Sequence, residues 1–88
     1  MVFAFTETGW EDYGYWQETD VKILNRINEI LKDVRRDPFK GLGKPEPLRG
    51  TLAGFWSRRI TGEHRLVYKL EGKKPNQVLT VIQIRFHY

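Results

Sequence analysis

Between Asp20 and Pro38, apolar side chains fall at Ile23, Leu24, Ile27, Ile30, Leu31 and Val34. That i, i+1, i+4, i+7, i+8, i+11 series describes a helix with one continuous buried stripe. Asp20 supplies an N-cap oxygen, and Pro38 stops the helix by pushing the residue before it out of helical geometry. Lys22, Arg26, Glu29, Lys32, Asp33 and Arg36 fall opposite the stripe and read as a solvated face. A stripe of this length must be covered, and the chain supplies the cover downstream. Leu52 to Ile60 reads as a strand, Thr61 and Gly62 as a tight turn, Glu63 to Leu70 as its hairpin partner, and Val78 to Phe86 as a central strand after a polar turn. Upstream, Val2 to Phe5 fits a short strand. Thr8 with Glu11 reads as a capping box for a helix from Gly9 to about Glu18, with Trp10, Tyr13 and Trp16 facing the core. The order predicts an α+β fold in which two N-terminal helices cover one face of an antiparallel or mixed four-stranded sheet. The other face stays open.

Eighty-eight residues make one small domain, near the lower limit for a single self-sufficient core. The absence of cysteine excludes disulfides, thiolate nucleophiles and thiolate metal sites, and suits a reducing cytoplasm. No segment approaches the roughly 20 apolar residues of a membrane span, and residues 1 to 8 lack the pattern of a secretory leader. The net charge of +4 conceals an asymmetry: residues 1 to 37 carry eight carboxylates against five cations, and residues 38 to 88 carry ten cations against three carboxylates. The second half therefore attracts polyanions, whether nucleic acid or an acidic protein segment.

His64 and His87 show no metal-ligand spacing, and Gly41 and Gly43 lack the strand and helix of a phosphate-binding loop. Alternation places Arg65 on the open face, with at least one of Arg58 and Arg59 beside it. On the last strand Val81, Gln83, Arg85 and His87 form the more polar parity set. An arginine-lined face suits a phosphodiester, because a guanidinium holds two phosphate oxygens at once. Glu46, braced between Pro45 and Pro47, adds a base and His87 an acid. Together they meet the needs of RNA cleavage without a metal, the ribose 2′-hydroxyl being the nucleophile. Each group also has a plainer reading: Glu46 paired with Lys44 or Arg49, the arginines solvated, His87 and Tyr88 merely ending a strand, His64 structural. The competing class is a non-catalytic basic module that binds RNA or an acidic protein.

Trp-Gln-Glu-Thr-Asp at 16 to 20, Gly-Lys-Pro-Glu-Pro-Leu at 43 to 48, Gly-Phe-Trp-Ser-Arg-Arg-Ile-Thr at 54 to 61, Glu-His-Arg-Leu-Val-Tyr at 63 to 68 and the His87-Tyr88 pair resemble the YoeB toxins of the RelE superfamily. Tyr13, Tyr15, Pro38 and Phe39 add to a likeness that spans nearly the whole chain. It implies the small RelE-like fold and a ribosome-dependent endonuclease that cuts messenger RNA at the A-site codon, with no cofactor. Glu46 then looks like the general base, Arg65 the stabiliser of the scissile phosphate, His87 the general acid and Tyr88 its helper. Lys44, Arg49, Arg58, Arg59 and Arg85 look like RNA contacts. The likeness further implies an antitoxin of the YefM type and a homodimer. Three departures stand out: Arg49 where lysine is common, Phe86 where tyrosine is common, and a turn at 71 to 76 longer than expected.

Overall fold

The computed structural model describes residues 1–86. In chain order these form β1 (Val2–Phe5), α1 (Glu7–Thr19), α2 (Val21–Arg36), β2 (Glu46–Pro47), β3 (Phe55–Arg59), β4 (Arg65–Glu71) and β5 (Val78–Gln83). The sheet runs β1-β5-β4-β3-β2, with β1 parallel to β5 and every other pair antiparallel. The α+β class and mixed sheet agree with the sequence reading, whereas β2 adds a fifth strand where a loop was expected. Its two prolines hide it, since proline cannot donate to a ladder and signals a turn.

The α2 stripe buries as its periodicity predicts. Ile27, Ile30 and Val34 are fully buried in one cluster with Leu66, Tyr68, Leu79 and Val81. Each such side chain contributes about 1.5–3 kcal/mol by leaving water. Asp20 caps the helix by accepting from the Lys22 and Ile23 amides at 3.0 and 3.2 Å, and the helix ends at Arg36 before Pro38. The start of α1 lies earlier than Thr8 suggests. Thr6 is the cap, its Oγ1 accepting from Gly9 N–H at 3.0 Å while donating to Ile82 O at 3.0 Å. One hydroxyl thus ties the helix start to the sheet. Gly9 permits the contact, because a Cβ there would lie 2.5 Å from Val81 O. Of the three α1 rings expected in the core, Trp16 is buried and Tyr13 partly so, but Trp10 is exposed, stacked on Tyr13 and edge-on to Phe5.

Two charged residues depart from the expected solvated faces. Arg58 is fully buried on the helix side, so it cannot front the open face as an RNA contact. Its guanidinium bonds Asp33 Oδ2 at 2.6 Å, Asp37 O at 2.5 Å and Leu42 O at 3.2 Å, and its Nε donates to Tyr68 Oη at 3.2 Å. Tyr68 in turn donates to Pro38 O at 2.5 Å, and burial pushes its phenol pKa up. Asp33 is therefore an anchor for the segment after α2, accepting also from Leu42 N–H and Arg36. The Leu42 amide first, then Arg58 and Arg36, pull its carboxyl from 3.8 down to about 2 against an opposing effect of burial. A depressed carboxyl stabilises the fold above its unfolded pKa and loses that contribution as pH falls through the folded value. Urea midpoints should consequently drop as pH falls from 3.8 toward 2, and Asp33→Asn should remove that part of the acid dependence. An identical acid profile in the variant would eliminate Asp33 as its source.

A β-bulge sets which side chains face the core in β5 and at Ile84. Tyr68 pairs with Val81, yet Val67 pairs with Gln83, leaving Ile82 as an extra residue on β5. One inserted residue reverses the side-chain alternation beyond it. Leu79 and Val81 point into the core before the bulge and Ile84 after it, all three fully buried. The parity set Val81, Gln83, Arg85 therefore does not share one face: Val81 is core, while Gln83 joins Val67 on the face away from the helices.

Candidate active site

On the face opposite the helices, the register aligns Glu46 with Ser57, Ser57 with Val67 and Val67 with Gln83. The next row pairs Arg59 with Arg65. With strands about 4.8 Å apart and like-facing residues about 6.7 Å apart along a strand, the two rows border one patch of this face. Ser57 and Val67 in the middle are buried, and Glu46 and Arg59 are exposed.

Local chemistry fixes Glu46 at the sheet margin. Arg59 N–H donates to Gly43 O at 2.6 Å, and Leu48 N–H donates to Phe55 O at 2.9 Å, so the strand is held on both sides of Glu46. Gly43 has φ +76°, and a Cβ there would meet Arg59 O at 2.6 Å, so only glycine allows the loop this close. Pro45 and Pro47 restrict the backbone beside it. Among the described residues no lysine or arginine forms an ion pair with Glu46, contrary to its plainer reading. Lys44 and Arg49 are exposed on the same loop.

Arg65 occupies the expected face but is only 9% exposed. Its Nη1 donates to Thr61 O at 2.8 Å, His64 O at 3.1 Å and Gly62 O at 3.2 Å. Those carbonyls hold the guanidinium in place before any ligand arrives, which is the arrangement that stabilises developing charge without reorganisation. Arg85, expected in line with Arg59 and Arg65, turns toward α1 instead, its guanidinium 3.6 Å from the Tyr15 ring centre and 4.6 Å from that of Phe86. A π-face offers a cation more than a row of other guanidinium groups does.

The chain beyond β5 is gripped from two elements. Asp12 Oδ2 accepts from Ile84 N–H at 2.8 Å, and Trp16 Nε1–H donates to Ile84 O at 2.9 Å. Phe86 O accepts from Arg65 N–H at 3.1 Å, and Phe86 N–H donates to His64 Nδ1 at 2.8 Å. Sequence reasoning missed Asp12 and His64 in this role; the i, i+4 spacing of Asp12 and Trp16 on α1 was the available signal. The acid and helper expected at His87 and Tyr88 lie outside the described residues. No helix among the described residues is long and apolar enough to cross a membrane.

Comparison with known proteins gives a consistent result. The family described as YoeB-like toxin of bacterial type II toxin-antitoxin system matches residues 5–88. Toxin YoeB of Streptomyces coelicolor is 53% identical over 88 residues, covering all of both chains. A YoeB/ParE toxin structure from Agrobacterium tumefaciens superposes with a TM-score of 0.97 at 52% identity over the full length of both. YoeB of Staphylococcus aureus, solved as a dimer, gives a TM-score of 0.87 at 38% identity over 100% of this chain and 98% of that one. The same toxin in a heterotetrameric YoeB-YefM toxin-antitoxin complex gives 0.86 at 38%, with the same coverage.

Proposed function

This chain belongs to the YoeB-like toxins of bacterial type II toxin-antitoxin systems, and from that premise we propose that it is a ribosome-dependent messenger RNA endonuclease needing no metal. The observation that carries the proposal is the placement of Glu46, Arg59 and Arg65 on the sheet face opposite the helices, with Arg65 already anchored. Glu46 takes the proton from a ribose 2′-hydroxyl, whose oxygen attacks the adjacent phosphorus. Arg65 stabilises the charge gathering on the phosphate oxygens, and His87 protonates the departing 5′-oxygen. The products are a 2′,3′-cyclic phosphate and a free 5′-hydroxyl. Tyr88 assists at the same step. Lys44, Arg49 and Arg59 contact the RNA backbone, and the ribosome presents the A-site codon.

The Staphylococcus aureus complex supports a YefM-type antitoxin as the resting partner in the cytoplasm, and the solved dimer supports self-association. An acidic antitoxin segment would complement the cation-rich second half of the chain. A message carrying a single 2′-deoxynucleotide on the 5′ side of the cleaved bond tests the chemistry. Cleavage at that bond should vanish while the toxin still binds the ribosome; cleavage at the parent rate would contradict 2′-hydroxyl attack.

A further inference from the structure

Phe86 adopts φ +62°, a left-handed conformation that non-glycine residues seldom take unless their surroundings hold them there. Both of its backbone polar groups are held by consecutive residues, His64 just before β4 and Arg65 at its start: its N–H by His64 Nδ1 at 2.8 Å and its carbonyl by Arg65 N–H at 3.1 Å. The Arg65 bond is backbone to backbone and indifferent to side-chain identity. The His64 bond depends on a ring nitrogen that is aimed.

That aim is built into the fold. The His64 side chain is only 12% exposed. Its ring lies edge-on to buried Trp16, with centroids 4.8 Å apart, and is tilted against Phe86 at 5.7 Å. Its backbone N–H donates to Thr61 Oγ1 at 3.1 Å, fixing the stem. An acceptor at Nδ1 places the neutral ring's proton on Nε2, which faces Glu63 Oε1 at 3.6 Å. Packing alone would be satisfied by phenylalanine; the hydrogen bond would not. Trp16 serves twice, since its Nε1 also holds Ile84 O at 2.9 Å, so the imidazole and the segment just after β5 share one reference point.

We infer that His64 is a positioning residue, whose Nδ1 fixes the Phe86 peptide from which the chain passes into His87. This rests on the nuclease reading above, in which His87 is the general acid. Proton transfer tolerates little misplacement, and a displacement of about 1 Å costs a factor of roughly 100. The effect belongs on the chemical step and not on ribosome affinity.

The test compares His64→Phe, His64→Asn and His64→Gln, with His87→Ala as reference. Thermal unfolding and single-turnover cleavage are measured at increasing ribosome concentration. Phenylalanine keeps the ring and loses the acceptor; asparagine places an oxygen near Nδ1, and glutamine places one near Nε2. His64→Phe should fold, bind ribosomes with the parent's half-saturation, and cleave about 10- to 100-fold more slowly. His64→Asn should recover most of that loss and His64→Gln should not. A folded His64→Phe that cleaves at the parent rate would overturn the inference. If His64→Phe fails to fold, equal rates for the asparagine and glutamine variants would overturn it. A parent-like His87→Ala removes the underlying nuclease reading and the inference with it, whereas an inactive His87→Ala beside a parent-like His64→Phe removes the inference alone.

Discussion

Glu46→Ala should lower single-turnover cleavage of ribosome-bound message by a factor of about 10²–10⁴, the usual contribution of a positioned general base. Glu46 is exposed on a two-residue margin strand, and the bonds that hold that strand are backbone bonds of Gly43, Leu48, Phe55 and Arg59. Alanine leaves all of them in place, so the thermal midpoint should barely move. Salt-sensitive ribosome binding should also persist, because the proposed RNA contacts at Lys44, Arg49 and Arg59 remain. Glu46→Gln separates charge from shape: it preserves the size of the side chain and should be as inactive as alanine. A folded Glu46→Ala that retains parent activity would leave the site without a base. It would favour the non-catalytic basic module, in which binding alone produces toxicity.

Arg58→Leu should act on the fold and not on the RNA. Leucine leaves Asp33 without its shortest partner and strips a buried guanidinium from the carbonyls of Asp37, Lys40 and Leu42. Asp33 keeps Arg36 and the Leu42 amide, so the loss is that of a buried hydrogen-bond network, about 1–3 kcal/mol. Against a total stability of roughly 5–15 kcal/mol, that is a large fraction. Urea denaturation measures it directly. Loss of ribosome affinity with an unchanged midpoint would reinstate Arg58 as a nucleic-acid contact. The same network closes the 37–42 segment against β3, next to the Gly43 contact that orients Glu46, so the two predictions meet in one loop.

These two residues also mark how far the sequence alone could be read. The α2 stripe, the Asp20 cap, the Pro38 stop and the β3–β4 hairpin follow from periodicity and local hydrogen bonding, and they appear as expected. Alternation within a short segment puts Arg65 on the face away from the helices, whereas Glu46 reads only as a proline-braced loop residue, and it is the β2–β3 register that brings it to the row next to Arg65. Arg58 was misplaced because a charge reads as surface unless its partner is known, and Asp33 lies 25 positions away. Val81 and Arg85 were misplaced because alternation assumes an unbroken ladder, and the Ile82 bulge inserts a step that no composition rule marks. The helix start at Thr6 was missed because its second partner, Ile82 O, lies across the fold. His64 reads as packing in sequence; its nitrogen acquires a task only when Phe86 is seen beside it.

The central claim is that His87 supplies the proton that releases the 5′-oxygen of cleaved message. It is tested most directly by mapping the ends of messenger RNA on translating ribosomes exposed to the parent protein or to His87→Ala. The parent should produce a cut within the A-site codon, leaving a 2′,3′-cyclic phosphate on the upstream fragment, and the variant should produce none while still occupying the ribosome. The same cuts at the same rate with His87→Ala would contradict the account.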